Sequence, residues 1–256
     1  MTEPGEIEAF IIHLERAQAR RPQVERIRAA CPVPAQVVDA VDGRALPAGE
    51  IEAVLCREGL HAPRYPFPIT AGEIGCFLSH RKVWRMIVDR RLKAGLVIED
   101  DVEIDRAAFE RALALAAEVI DSAGYIQFQV RPVPGQAEIV ASRGPVSILR
   151  PKVGMLRTSA QLVSQAQARR LLRITERFDR PVDGLLQMGW VTGVAPSCAS
   201  PSGVSDRTRE TGGSTISTSA GTPLPQRLAR EIRRLVYRHR IRAFSARHRA
   251  QNGGET

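Results

Sequence analysis

The stretch Gly95–Ile104, GLVIEDDVEI, decides how the rest of the chain is read. Its short apolar run, GLVI, is that of a central strand covered on both faces. Four carboxylates follow: Glu99, Asp100, Asp101 and Glu103. Before it, TAGEIGCFLSHRKVWRMIVDRR places Ile74, Phe77, Leu78, Trp84, Ile87 and Val88 on one helical face, and Thr70 and Glu73 have capping-box spacing at its start. After it, a helix is predicted from about Arg106 to Ile120, with Phe109, Leu113, Ala116 and Ile120 on its apolar stripe. Helices alternating with strands give an α/β class. In open α/β sheets ligands bind beyond the carboxyl ends of the strands, so these carboxylates fall where a site belongs. Packed carboxylates repel one another and raise each other's pKa unless a cation neutralises them, and oxygen ligands suit Mg²⁺ or Mn²⁺. A solvated acidic loop, with Asp105 capping the next helix, fits the same residues. This stretch alone leaves both readings open.

Toward the N-terminus, AFIIHL reads as a buried first strand, RAQARRPQVERIRAA as a helix-prone segment interrupted by Pro22, and DAVDGRALPAGE as a turn region. Toward the C-terminus, YIQFQV alternates like a strand with one wetter face, and VSILR and SAQLVS are further strand candidates. Ser164 and Gln167 have the spacing to cap a helix that turns Ala168, Leu171, Leu172 and Thr175 inward and ends near Phe178. Ser, Thr, Gly and Pro dominate residues 197–223, which predicts a long loop or lid without its own core. There is no internal repeat. The expected organisation is one main domain over residues 1–222, including a Ser/Gly/Thr-rich loop at 197–222, followed by a basic amphipathic tail at 223–256.

Charge is unevenly spread. The chain of 256 residues has a formal net charge of +9, yet from Pro223 onward nine arginines stand against two acids, so the body is nearly balanced. In the tail, Leu228, Ile232, Leu235 and Val236, then Tyr237, Ile241 and Phe244, form a drifting helical stripe surrounded by arginine. Such a helix suits an anionic membrane surface. No recognised nucleic-acid motif accompanies the charge, so nucleic acid is the weaker partner, and a solvated tail is the plain alternative. No apolar stretch approaches the ~20 residues of a membrane-spanning helix. Glu3, Glu6 and Glu8 precede AFIIHL, the wrong charge and length for a secretory signal. Cys31, Cys56, Cys76 and Cys198 form no C-x-x-C pair and read as free thiols. The expectation is a cytoplasmic protein, peripheral on the inner face of the cytoplasmic membrane.

FIIHLERAQARR, DAVDGRAL, GEIGCFLSHRKVW, LVIEDDVEI, RPVDGLL and GGSTI, in that order from about Phe10 to Ile216, together resemble glycosyltransferase family 25. This is the lipopolysaccharide (lipooligosaccharide) galactosyltransferase family, whose members include collagen galactosyltransferases. GEIGCFLSH followed shortly by LVIEDD is the most specific part. The resemblance implies a GT-A-like nucleotide-sugar transferase fold with a central mixed sheet, a UDP-sugar donor (typically UDP-galactose), and inverting transfer to a saccharide hydroxyl. A lipid-linked acceptor of lipopolysaccharide or surface polysaccharide goes with it. So does an acidic D-x-D-type motif holding a divalent metal, Mn²⁺ or Mg²⁺, on the donor diphosphate. A fixed cation there stabilises the charge that develops on the leaving phosphate.

Carried onto this chain, the resemblance makes Asp101 the metal ligand, with Glu99 beside it and Glu99 or Asp100 contacting the ribose or the metal's waters. Arg20 and Arg21 match the family's Arg pair and are placed on the diphosphate or base; a solvated helix face is the alternative. An inverting transfer needs a base for the acceptor hydroxyl, and Asp183 in RPVDGLL is the candidate, orientation of the acceptor being its other role. Ser79 and His80 lie off the apolar stripe of their helix, which puts His80 forward for chemistry against a structural histidine. Asp39 and Asp42 with Gly43 read as an Asx turn, Gly75 as a close-packing position and Cys76 as a small packed side chain. Gln161 stands where many members have an aromatic, and no histidine between Asp183 and Pro223 is available to the metal. Two rival readings use the same residues: a metal-dependent sugar-nucleotide phosphohydrolase, and an inactive family member serving as a binding or scaffold protein.

Overall fold

The computed structural model describes residues 6–208 and 224–252. Along the chain run β1 (Ile7–His13), a 3-10 turn (Gln18–Arg20), α1 (Arg21–Ala30), β2 (Ala35–Asp39), α2 (Ala48–Val54), α3 (Ala71–Asp89), β3 (Ala94–Glu99), β4 (Val102–Ile104), α4 (Arg106–Ala123), β5 (Tyr125–Phe128), β6 (Ala137–Arg143), β7 (Val146–Pro151), β8 (Ala160–Ser164), α5 (Gln165–Ile174), α6 (Val182–Leu186), α7 (Gly189–Thr192), β9 (Ser197–Ser200), β10 (Val204–Asp206) and α8 (Leu224–Asn252). Eight strands form one sheet in the order β2-β1-β3-β8-β5-β9-β7-β6, and β4 pairs with β10 separately. β1 is parallel to β2 and β3, and β5 to β9, whereas β8, β7 and β6 run antiparallel to their neighbours. The α/β class with a central mixed sheet is therefore observed.

Both faces of the sheet are covered, which explains the unbroken apolar run in β3. Ile11, Leu96, Ile98 and Ile126 pack with Phe109 of α4 on one face, and Phe10 and Val97 with Phe77, Trp84 and Leu171 of α3 and α5 on the other. α3 lies so close to β3 that a Cβ on Gly95 would stand 2.3 Å from Ile87 Cγ1. The Thr70 hydroxyl accepts from Glu73 N while the Glu73 carboxylate accepts from Thr70 N, so the predicted capping box starts α3. Asp105 and Ser164 cap α4 and α5.

Several expectations are corrected. Pro22 does not interrupt a helix; it sits in the first turn of α1, where its missing N–H costs nothing. The turn region holds the last residue of β2 and the first turn of α2. β5 has no wetter face: all four residues are buried, and the Gln127 amide donates to the carbonyls of Met155 and Arg157. α5 ends at Ile174, short of Phe178. Residues 197–206 are not a coreless loop but carry β9, an interior strand, and β10. The GGSTI motif and the rest of the predicted lid, residues 209–223, lie outside the described residues.

The tail is a helix whose apolar positions split between two faces. Tyr237, Ile241 and Phe244 dock on the body: Tyr237 OH accepts from Arg180 Nη1 at 3.1 Å, Ile241 is buried, and Phe244 packs on Trp190 with ring centroids 5.6 Å apart. Leu228, Ile232, Leu235 and Val236 are 65%, 53%, 61% and 46% exposed on the opposite face. Among the described residues, no helix is long and apolar enough to cross a membrane.

Candidate functional site

The site forms where parallel β1 and β3 end side by side, Ile12 pairing with Glu99. Immediately after β3, both Asp100 oxygens are taken: His13 Nδ1 donates at 2.8 Å and Arg20 Nη1 at 2.5 Å, all three side chains being buried. Arg20 and Asp100 form a buried ion pair that fixes the β3 turn to the start of α1, and both also line the smaller cleft described below. Arg21 is exposed on α1 and does not line the cleft.

Glu99 is held from two sides. Thr158 Oγ1 donates to its Oε1 at 2.5 Å, and His80 Nε2 lies 3.4 Å from the same oxygen. His80 Nδ1 accepts from Gln161 Nε2 at 3.0 Å. Burial pushes the Glu99 carboxyl up, but the hydrogen bonds from His80 and Thr158 and nearby positive charge outweigh it, leaving its pKa below the ordinary value. His80 itself is wholly buried and lines neither of the two clefts described below; its contact with the site is through Glu99. Gln161, the departure from an aromatic, supplies the amide behind that histidine.

Asp101 is half-buried and turned to the cleft. Thr208 Oγ1, whose one proton is shared between Asp206 Oδ1 at 2.5 Å and Asp101 Oδ2 at 3.1 Å, lies beside it, and Arg20 Nη1 is 3.7 Å from the same Asp101 oxygen. Burial and the neighbouring Glu99 charge raise its pKa to about 6, Arg20 offsetting only part of this. Two clefts meet here, both lined by Glu99, Asp101 and Cys76. One, of about 100 Å³, reaches Arg16, Arg20, Asp42 and Ser79. The other, of about 250 Å³, reaches Glu73, Arg157, Thr158 and Asp183.

Asp183 opens α6, where its Oδ1 accepts from Gly184 N at 2.7 Å and its Oδ2 from Arg157 N at 3.3 Å. Burial raises its pKa, and the Glu99 and Glu73 charges add to the effect. It lines the second cleft and a third cavity of about 650 Å³ beneath α8. The structure thus brings Glu99, Asp101 and Asp183 to one cleft, places Arg20 and Asp100 with Glu99 and Asp101 on the other, buries His80 behind Glu99 and leaves Arg21 apart. Asp42 forms the predicted Asx turn, accepting from Arg44 N at 3.1 Å, and pairs with Arg16. Gly75 is a close-packing position, since a Cβ there would stand 2.6 Å from Gly43 N.

Sequence reasoning missed His13, Thr158, Thr208, Arg157 and the use of Gln161. His13 lies inside a motif that was read, FIIHL, and its position at the end of the first strand was the available signal. Thr158 and Thr208 lie in irregular segments with no periodicity to mark them.

Glu99 and Asp101 form an oxygen-only donor set at the mouth of a strand, and their mutual repulsion is what a divalent cation relieves; they fit Mg²⁺ or Mn²⁺. A second group, Cys76, His80 and Glu99, has ligand atoms within 4.8 Å of one another. It fits less well. Burial, then the Glu99 charge, pushes the Cys76 thiol well above its ordinary range, whereas metals bind the thiolate.

Residues 6–186 match the family described as glycosyltransferase family 25 (LPS biosynthesis protein). The match covers well over half of the chain, and the protein belongs to that family. Procollagen galactosyltransferase 2 of Mus musculus is 41% identical over 118 residues, 45% of this chain and 19% of that protein. Inactive glycosyltransferase 25 family member 3 of Mus musculus is 38% identical over 104 residues, 40% of this chain and 18% of that protein. The chain thus spans about a fifth of the length of the curated relatives it matches. A solved glycosyltransferase involved in glycosylation of the major capsid of PBCV-1 overlaps 66% of this chain and 64% of its own, with a TM-score of 0.31 and 10% identity.

Proposed function

We propose that the protein is a metal-dependent hexosyltransferase that moves galactose from UDP-galactose, with inversion, onto a hydroxyl of a saccharide acceptor of lipopolysaccharide or surface polysaccharide. Family membership and the galactosyltransferase relatives support the reaction class. The observation that carries the reading is the position of Glu99 and Asp101 on the wall shared by two clefts, while their neighbour Asp100 is already paired with Arg20 and hydrogen-bonded by His13.

In a GT-A-like arrangement, Glu99 and Asp101 would hold a divalent cation, which would supply positive charge against the departing diphosphate. Thr158 and His80 keep Glu99 aimed at the cleft, and Thr208 does the same for Asp101. The smaller cleft takes the nucleotide, with Arg16 and Arg20 supplying positive charge. Asp183, on the side toward the larger cavity, accepts the proton of the acceptor hydroxyl as its oxygen attacks the sugar carbon; burial has raised its pKa in the direction that favours taking a proton. The exposed stripe Leu228, Ile232, Leu235 and Val236, flanked by arginine, suits an anionic membrane surface bearing a lipid-linked acceptor.

A screen of sugar nucleotides with Mn²⁺ tests the reaction by following UDP release with and without saccharide acceptors. Release from UDP-galactose that rises with acceptor supports transfer. Acceptor-independent release supports a phosphohydrolase, and no turnover of any donor supports an inactive family member. Deleting residues 223–256 tests the membrane reading, which unchanged sedimentation with anionic liposomes would contradict.

A further inference from the structure

The cavity of about 650 Å³ beneath α8 begins at Asp183 and Arg157, residues it shares with the metal-side cleft, and is closed on its outer side by Arg234, Tyr237, Arg238, Ile241 and Arg242. Arg234, Arg238 and Arg242 are spaced four residues apart and so follow one line along the helix. Arg131, from the segment after β5, lines the same cavity. Charges of both signs face it, and most are satisfied within the protein. Arg157 pairs with Asp206, Arg234 with Glu231 at 2.5 Å, Glu73 is in the α3 capping box, and Asp183 accepts two backbone N–H groups. Arg131, Arg238 and Arg242 have no hydrogen-bond or carboxylate partner among the described residues. Three guanidinium groups from two separate elements are thus left uncompensated around one concave space, where the field of each adds to that of the others.

The wall beside them is aromatic. Tyr65 lies edge-on to Phe67 and to Tyr237, with centroids 5.6 and 5.5 Å away, and Arg230 covers the Phe67 ring from outside at 5.7 Å. Aromatic faces with a few convergent polar groups suit the apolar face of a sugar ring, and guanidinium forks suit a planar or tetrahedral anion through paired hydrogen bonds. Leu235 of the exposed apolar stripe, three and seven residues before Arg238 and Arg242, shares their side of α8, so an anionic membrane and an anionic saccharide would compete for these two arginines.

We propose that this cavity is an acceptor subsite for an anionic saccharide, one bearing a carboxylate or a phosphate, held by Arg131, Arg238 and Arg242 with its ring against Tyr65 and Tyr237 and its reacting hydroxyl toward Asp183. The proposal rests on the transferase reading above and narrows its acceptor class.

The test is calorimetric titration of the full chain, with Mn²⁺ and UDP present, using trigalacturonic acid, mannose 6-phosphate and uncharged galactotriose. At least one charged sugar binds ten-fold or more tightly than galactotriose, and R238A/R242A removes that difference while retaining metal-dependent UDP binding. The first two probes separate carboxylate from phosphate as the source of charge. The proposal is overturned if neither charged sugar is preferred, or if the preference survives R238A/R242A. It is also overturned if the double variant loses sedimentation with anionic vesicles but no saccharide binding, because the arginines would then serve lipid. UDP titration of the wild type in the same buffer tests the transferase reading separately, so failure of one is distinguishable from failure of the other.

Discussion

Arg20 and Asp100 form a buried ion pair, Nη1 to Oδ1 at 2.5 Å, and His13 completes it at 2.8 Å on the other oxygen. Three consecutive carboxylates line the smaller cleft but differ in their partners: Asp100 is held by Arg20 and His13, while Glu99 and Asp101 also face the second cleft. Removing one partner of a buried ion pair strands the other, at a cost of about 3 kcal/mol or more. Asp100→Ala lowers unfolding stability by that order in urea denaturation. Asp101→Asn removes a charge that repels Glu99 and costs under about 1 kcal/mol. Equal losses for the two variants would contradict this division.

On the proposed function, Asp101 is the group that sets the pH dependence of metal binding. Its pKa is raised to about 6, so below that pH the carboxyl carries a proton that a cation must displace, and above it the ligand is ready. Mn²⁺ affinity, followed by titration between pH 5 and 8, is level above about pH 6.5 and falls by up to about ten-fold per pH unit below 6. A profile that is flat down to pH 5 would show that Asp101 is not a ligand.

His80 meets the proposed metal site through Glu99, its Nε2 lying 3.4 Å from Oε1. His80→Ala removes a hydrogen bond that lowers the Glu99 pKa, so metal binding shifts toward higher pH. His80→Gln, which can still donate, restores part of it. A drop in kcat with an unmoved metal-binding profile would instead mean that His80 touches the reacting groups.

Arg180 is the anchor of α8. Fully buried, it pairs with Asp179 at 2.7 Å and donates to the carbonyls of His61 and Pro63 and to Tyr237 OH. Arg180→Met leaves Asp179 buried without its cation, costs about 3–5 kcal/mol, and makes the 223–256 segment more susceptible to trypsin. Adding Asp179→Asn recovers part of the loss. Unchanged proteolysis of the tail would show that α8 docks without Arg180.

What the sequence made legible was local. β3 and α3 follow from an apolar run, a 3.6-residue period and the Thr70–Glu73 cap, all readable within a few residues. The allocation of the carboxylates was not readable, because the partners of Asp100 lie 80 and 87 residues away. The same holds for α8: its arginines read as a free basic stripe because Arg180, 57 residues from Tyr237, gives no local sign that it receives the helix. β5 looked half-wet because Gln127 is polar; its amide is satisfied by carbonyls from a loop about thirty residues on.

On the proposed function, Glu99 and Asp101 hold a divalent cation for a nucleoside diphosphate. Calorimetric titration of UDP into the wild type and Asp101→Ala, each with and without Mn²⁺, is the decisive measurement. UDP binding by the wild type is expected to depend on Mn²⁺ and to be lost in Asp101→Ala. UDP binding that is equal with and without Mn²⁺, or absent from the wild type, would contradict it.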